Sequence, residues 1–129
     1  MTNPPAPPPL TLTATVLGAP DAQELAAFYV RLLGWDLVAD EPGWCKVNPP
    51  AGGPGLSFQT EPDHTPPVWP AAPGTQQMQL HLDIETTDLP AAVAHATAAG
   101  ATPATFQPQP DVHVMLDPAG HPFCLWIRT

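Results

Sequence analysis

The sequence predicts an α+β fold made of two βαβββ modules, and two observations carry that reading. The order strand, acidic cap, helix, closing glycine and three short strands runs through the chain twice. The two copies also keep the same spacing: Ala14 lies seven residues before the cap Asp21, and His81 lies seven before the cap Asp88. Internal self-similarity of this kind marks a duplicated structural unit. At 129 residues the chain fits one domain with a substantial core.

Taken in order, residues 1–9 (MTNPPAPPP) read as an extended, polyproline-like arm. The domain proper is expected at 10–129, with module one at 10–60, a connection at 61–75 and module two at 76–129. Residues 10–19 (LTLTATVLGA) alternate with β-branched side chains and suit a strand. Asp21, with Glu24 three residues on, has the form of a helix cap. Leu25, Phe28, Tyr29, Leu32 and Leu33 then recur on one helical face, and Gly34 supplies the stop. Short strands are expected at 35–40, 44–48 and 55–60.

In module two, residues 76–85 alternate cleanly. Met78, Leu80, Leu82 and Ile84 fall on one face, and Gln79, His81 and Asp83 on the other. Asp88 caps an alanine-rich helix that Gly100 closes, and strands are expected at 102–106, 112–117 and 123–128. The 21 prolines gather in the arm and in connections such as EPDHTPPVWPAAPG, where they punctuate the chain rather than disorder it.

Twelve acidic residues against Arg31, Lys46 and Arg128 give a formal charge of −9. Nucleic acid and anionic membrane are therefore excluded as expected partners, since both would be repelled. No run approaches the length of a membrane span, and the opening residues lack the basic and apolar regions of a secretory signal. With only Cys45 and Cys124, the expectation is a reduced, cytoplasmic protein without a disulfide framework.

The helix DAQELAAFYVRLLGW and the ending DPAGHPFCLW, set in the repeated module, resemble the vicinal oxygen chelate superfamily. That superfamily includes glyoxalase I, extradiol dioxygenases, fosfomycin-resistance enzymes and bleomycin-resistance proteins. The resemblance covers about residues 10–128, and it implies a curved mixed sheet around a cleft with the helices on the outer face. In the metal enzymes of the superfamily, each module contributes ligands, typically His, Gln or Glu, from its first and last strands. Carried over, His81 falls on the first-strand ligand position of module two, while the equivalent place in module one is Ala14, which has no donor atom. Cys124, in DPAGHPFC, stands where the last-strand glutamate would be. Ser57 and Gln59, in GLSFQ, are the best remaining candidates.

One imidazole, one thiol and an amide or hydroxyl do not make the oxygen-rich octahedral site the resemblance implies, nor a tetrahedral zinc site. His64, His95, His113 and His121 form a reserve, from which His113 alternates toward the cleft. No functional metal and no cofactor are therefore expected. If His81 faces the cleft, Gln79 and Asp83 join it, with Cys124 and Trp126 from the last strand and His113 and Met115 from its neighbour. Leu12, Ala14, Val16, Ser57 and Trp44 come from module one, and Trp69 lies in the connection that can fold over the opening.

Each of these residues also has a plainer reading. His81 can be a hydrogen-bonded core histidine, Cys124 a small apolar residue rather than a nucleophile, and Trp35 and Trp44 core fillers. An apolar, aromatic cavity with a few polar anchors is the usual form of a small-molecule pocket. The expected function is a homodimer that captures a hydrophobic or aromatic small molecule, an antibiotic or natural product, and confers resistance by sequestration, as metal-free bleomycin-resistance proteins do. The rival is a lyase, isomerase or dioxygenase that is metal-dependent or uses His81 as its base. A third reading, modulation of a pathway enzyme through the proline arm, has no residue that demands it.

Overall fold

A computed structural model describes residues 4–128, so positions 1–3 of the expected arm and residue 129 lie outside the described residues. The described residues form two four-stranded mixed sheets and two helices, one helix following the first strand of each sheet, as the repeated pattern requires.

Module one begins with β1 (Ala14–Ala19), α1 (Ala22–Leu33) and β2 (Asp36–Glu41), followed by β3 (Trp44–Asn48) and β4 (Gly55–Thr60). Its strand order is β1-β4-β3-β2, with β1 parallel to β4 and the other pairs antiparallel. Module two repeats this with β5 (Leu82–Thr86), α2 (Leu89–Ala99) and β6 (Thr102–Pro103), then β7 (Val112–Leu116) and β8 (Pro122–Ile127). Its order, β5-β8-β7-β6, is the same topology.

The helix ends obey the sequence signals. Asp21 Oδ1 accepts from the Gln23 and Glu24 amides at 3.0 and 3.3 Å, satisfying donors that the first turn leaves free. Asp88 Oδ1 does the same for Ala91 at 3.0 Å. Gly34 ends α1 at φ +70°, a left-handed conformation that glycine adopts without steric cost.

Three strands are shorter than the pattern predicts by several residues, two for want of a pairing partner and one because a side chain occupies its ladder. Residues 10–13 precede β1 without pairing, since Gly55 opens β4 directly after Pro54 and its amide donates only as far as the Thr13 carbonyl. Residues 76–81 precede β5 for a similar reason: β8 pairs with it only from Phe123 onward. The sixth strand shrinks to two residues because the Gln107 side chain takes over its ladder. That amide accepts from Val114 N at 2.7 Å and donates to Val114 O and Ala104 O at 2.8 Å.

The core lies between the sheets and α1. Phe28 and Tyr29 project from the helix onto Phe58 of β4 and Phe123 of β8, so one helix face closes both modules. The two helices lie side by side, held by Arg31 Nε and Nη2 donating to the Ala99 carbonyl at 3.0 and 2.8 Å, and by His95 to the Leu32 carbonyl at 2.9 Å. Trp35 is half-buried against this core, as expected, whereas Trp44 is 38% exposed and lies on the opposite face of its sheet. No helix among the described residues is long and apolar enough to cross a membrane.

Candidate functional site

Strand register decides which side chains share a face, because directly paired residues point the same way. In module two, Asp83 pairs with Cys124, Glu85 with Trp126, and Val112 with Trp126 on the other side. These residues occupy the sheet face turned away from α2. On the helix side lie Leu82 and Ile84, Phe123 and Leu125, and also His113 and Met115, which pair with Leu125 and Phe123.

His81, Asp83, Cys124, Trp126, Val112 and Gln109 together line an open pocket of about 430 Å³. That volume is within the range of small-molecule sites. His81 Nε2 lies 3.1 Å from Asp83 Oδ1. One donor atom each from His81, Asp83 and Cys124 falls within 4.8 Å of the other two. Burial raises the Cys124 thiol pKa above its ordinary value, and the Asp83 carboxylate beside it raises it further. The thiol is thus held protonated near neutral pH, which makes it a weak nucleophile. Arg128 stacks over the Trp126 ring, 5.2 Å from its centroid, while reaching Glu85 with two hydrogen bonds of 3.1 and 3.2 Å.

The expected site residues divide into groups. His81, Cys124 and Trp126 come together. Met115 is fully buried beside Phe123 and His113 is half-buried beside Leu125, which corrects the expectation that they enter the cleft. The alternation was sound, but the wrong set of alternate residues was given to the open side: Val112 lines the pocket and His113 does not. Ser57 and Trp44 lie on the face of module one's sheet away from α1, Ser57 buried between Val16 and Lys46. Trp69 donates to the Phe106 carbonyl at 3.3 Å, so the connection is tied to the loop after β6.

Gln79 borders a different, smaller space of about 250 Å³ with Val16, Gly18, Leu80, His64 and His121. The two histidines there act as fasteners. His121 Nε2 meets the Gly18 carbonyl at 2.6 Å, and His64 Nε2 meets the Ala119 carbonyl at 2.7 Å. These roles were not legible, since nothing local marks a histidine that bonds to a distant carbonyl. Asp83 is the other residue undervalued in sequence. Alternation puts it on the cleft face, and its spacing from His81 (i, i+2 in extended chain) brings both side chains to one side as neighbouring donors.

The two motifs that carried the resemblance meet in space. Tyr29 Oη donates to Asp117 Oδ2 at 2.8 Å, and Asp117 Oδ1 accepts from the Ala119 and His121 amides, both at 2.9 Å. The tyrosine of FYVRLLG is thereby joined to the aspartate of DPAG. Burial first, then the adjacent Asp117 charge, raises the Tyr29 pKa well above 10. Since the folded phenol holds its proton above the unfolded value, this contribution to stability is intact below pH 10 and is lost as pH rises beyond it. Tyr29 is the chain's only tyrosine. Tyr29→Phe should lower stability at neutral pH by roughly 1–3 kcal/mol, through the unpaired carboxylate oxygen, and should remove this part of the alkaline loss. Urea unfolding at pH 9 and 11 reads both effects. An identical alkaline slope in the two proteins would contradict the assignment.

The superfamily's metal set, tested on these residues, does not fit. Ala14 presents a methyl group, Cys124 replaces an oxygen donor, and neither Ser57 nor Gln59 supplies a carboxylate. The glyoxalase-like domain family matches residues 14–126, and the chain belongs to that family. No curated protein is detectably similar. Among solved structures, similarity extends to a glyoxalase/bleomycin resistance protein/dioxygenase family enzyme from Burkholderia phytofirmans PsJN, at 17% identity and TM-score 0.67 over 92% of this chain and 98% of that one. TnmS3, an antibiotic binding protein from Streptomyces sp. CB03234, is similar at 23% identity and TM-score 0.62, covering 93% and 97%. A lactoylglutathione lyase from Agrobacterium tumefaciens is similar at 18% identity and TM-score 0.61, covering 94% and 96%. Likenesses at these identities establish the shared fold, and that fold serves both binding proteins and enzymes.

Proposed function

We propose that this protein binds a hydrophobic or aromatic small molecule, an antibiotic or related natural product, without transforming it, and protects its host by sequestration. The carrying observation is the open pocket lined by the apolar side chains of Trp126 and Val112 together with the polar groups of His81, Asp83 and Gln109. An aromatic ligand gains roughly 0.5–1.5 kcal/mol from stacking on Trp126 beyond its area burial. The protonated Cys124 favours a contact role over attack on the ligand. TnmS3 supplies a precedent for antibiotic binding on this fold.

The active form in this reading is a homodimer in a reducing, cytoplasmic setting. Val16 is 47% exposed and Leu80 46%, and with Trp44 they leave apolar surface on and beside the open face of module one, as a self-association surface would. Both cysteines are free, as a reducing compartment would keep them. Sedimentation equilibrium tests the dimer.

The His81–Asp83 pair favours one competing reading, a His-based enzyme, because Asp83 is the orienting partner a general base requires. A titration of flat aromatic antibiotics, cationic and neutral, followed by tryptophan fluorescence, separates the two. Sequestration predicts saturable one-to-one quenching, weakened about tenfold or more in Trp126→Ala, which corresponds to about 1.4 kcal/mol. Equal affinity in wild type and Trp126→Ala would remove the pocket from the account.

A further inference from the structure

The mismatch between this chain and the superfamily's metal set has a second side. One imidazole and one thiol are too few donors for a metal, but the structure adds the Asp83 carboxylate to them. Asp83 and Cys124 are direct cross-strand partners on β5 and β8, and His81 precedes Asp83 by two residues in extended chain. Their donor atoms lie within 4.8 Å of one another, with His81 and Asp83 already 3.1 Å apart. All three belong to module two, so the site needs nothing from Ala14, Ser57 or Gln59.

We propose that His81, Asp83 and Cys124 form a three-donor site for a thiophilic divalent ion such as Zn²⁺, confined to module two and open toward the pocket. The chemistry differs from the oxygen-rich set that the resemblance implies. One thiolate, one imidazole and one carboxylate suit zinc or cobalt and disfavour magnesium or calcium. At bond lengths of about 2.0–2.3 Å, ligand atoms around a tetrahedral ion sit roughly 3.2–3.8 Å apart. The widest separation in the cluster, up to 4.8 Å, therefore has to close by roughly 1–1.6 Å, a movement within reach of side-chain rotation on an open surface.

On binding, the Cys124 S–H bond breaks and an S–metal bond forms. The proton leaves to solvent and no electron is transferred. The ion also takes the place of the direct contact between His81 Nε2 and Asp83 Oδ1, 3.1 Å apart, which already sets these two donors side by side. A fourth position faces the pocket lined by Trp126, Val112 and Gln109, where water or a donor atom of a bound molecule can complete the shell. The ion site does not depend on the sequestration reading, since the ion alone tests it.

The experiment uses the full chain, freed of metal with chelator, exchanged into chelator-free buffer with a phosphine reductant and titrated with Co²⁺. The expected result is one equivalent bound with a thiolate-to-cobalt charge-transfer band in the near ultraviolet, displaced by Zn²⁺ and not by Mg²⁺. Cys124→Ser should abolish the band, while Cys45→Ser, at the other free thiol, should leave it intact. His81→Ala and Asp83→Asn should each weaken binding by at least the roughly 10–100-fold that loss of an outer-shell partner already costs. Circular dichroism verifies that each variant is folded, which the exposure of His81 and Asp83 favours. No band, a band that survives Cys124→Ser, or affinity unchanged in both His81→Ala and Asp83→Asn would overturn the proposal and leave adventitious thiol binding only.

Discussion

Tyr29→Ala is expected to bring the protein to the edge of unfolding. The ring is fully buried where the two modules meet. It stacks on Phe58 at 5.5 Å between centroids and 20° between planes, takes an edge contact from Phe28 at 4.8 Å, and meets Phe123 at 6.4 Å. Its hydroxyl also closes the Asp117 network. Truncating a buried aromatic to alanine costs about 3–5 kcal/mol because the surroundings collapse only partly into the space. A carboxylate stripped of its donor adds to that loss, against a total stability of roughly 5–15 kcal/mol for a domain. Urea melts of wild type and variant should show the midpoint falling steeply. Tyr29→Phe, which keeps the packing and loses only the hydroxyl, should retain most of the stability. A loss below about 1 kcal/mol in Tyr29→Ala would mean that this ring does not join the modules.

The second large effect is expected at Gly55→Ala, on the face of module one's sheet away from α1. Gly55 is buried where β4 begins. A methyl group there would press against the Val47 carbonyl oxygen and stand 2.5 Å from Asn48 Oδ1. Asn48 can rotate its side chain away, but the Val47 carbonyl belongs to the β3 backbone and cannot move alone. Relief requires separating β3 from β4 at their ends or loosening the β1–β4 pair, where Gly55 sits opposite Ala14. Overpacking of this kind costs about 1–3 kcal/mol. Gly43→Ala, in the turn before β3 with open space around its added methyl, serves as the control and should cost far less. Equal stability for Gly55→Ala and wild type would show that the sheet end yields freely.

What could be read from the sequence follows from how local each signal is. The caps Asp21 and Asp88 and the stops Gly34 and Gly100 act within four residues of themselves, so both helices were legible almost to the residue. The strands were legible in their interiors and not at their ends. Alternation continues through Gln76 and Leu12 whether or not another strand lies alongside, and pairing is what ends β1 and β5. Which set of alternate residues faces outward was equally out of reach for β7. Val112–Leu116 reads as amphipathic either way, and only its register against Trp126 and Cys124 turns Val112 outward and Met115 into the core. The repeat spacing equates His81 with Ala14 and carries nothing about Cys124; that these two side chains line one pocket follows from the parallel pairing of β5 with β8. The fasteners at His64 and His121 depend on carbonyls 55 and 103 residues away, a distance across which no sequence pattern carries information.

The most direct test of the binding account is equilibrium dialysis of purified protein against flat aromatic antibiotics, cationic and neutral, with mass spectrometry of whatever is released on denaturation. Sequestration predicts that at least one compound is held one-to-one with a dissociation constant of about 1 μM or tighter, is recovered at its original mass, and is held about tenfold or more weakly in Trp126→Ala. Recovery of an altered compound, formed in more than one equivalent and not by His81→Ala, would contradict the account and make the His81–Asp83 pair the centre of an enzyme. Retention of no compound at all would contradict it as well.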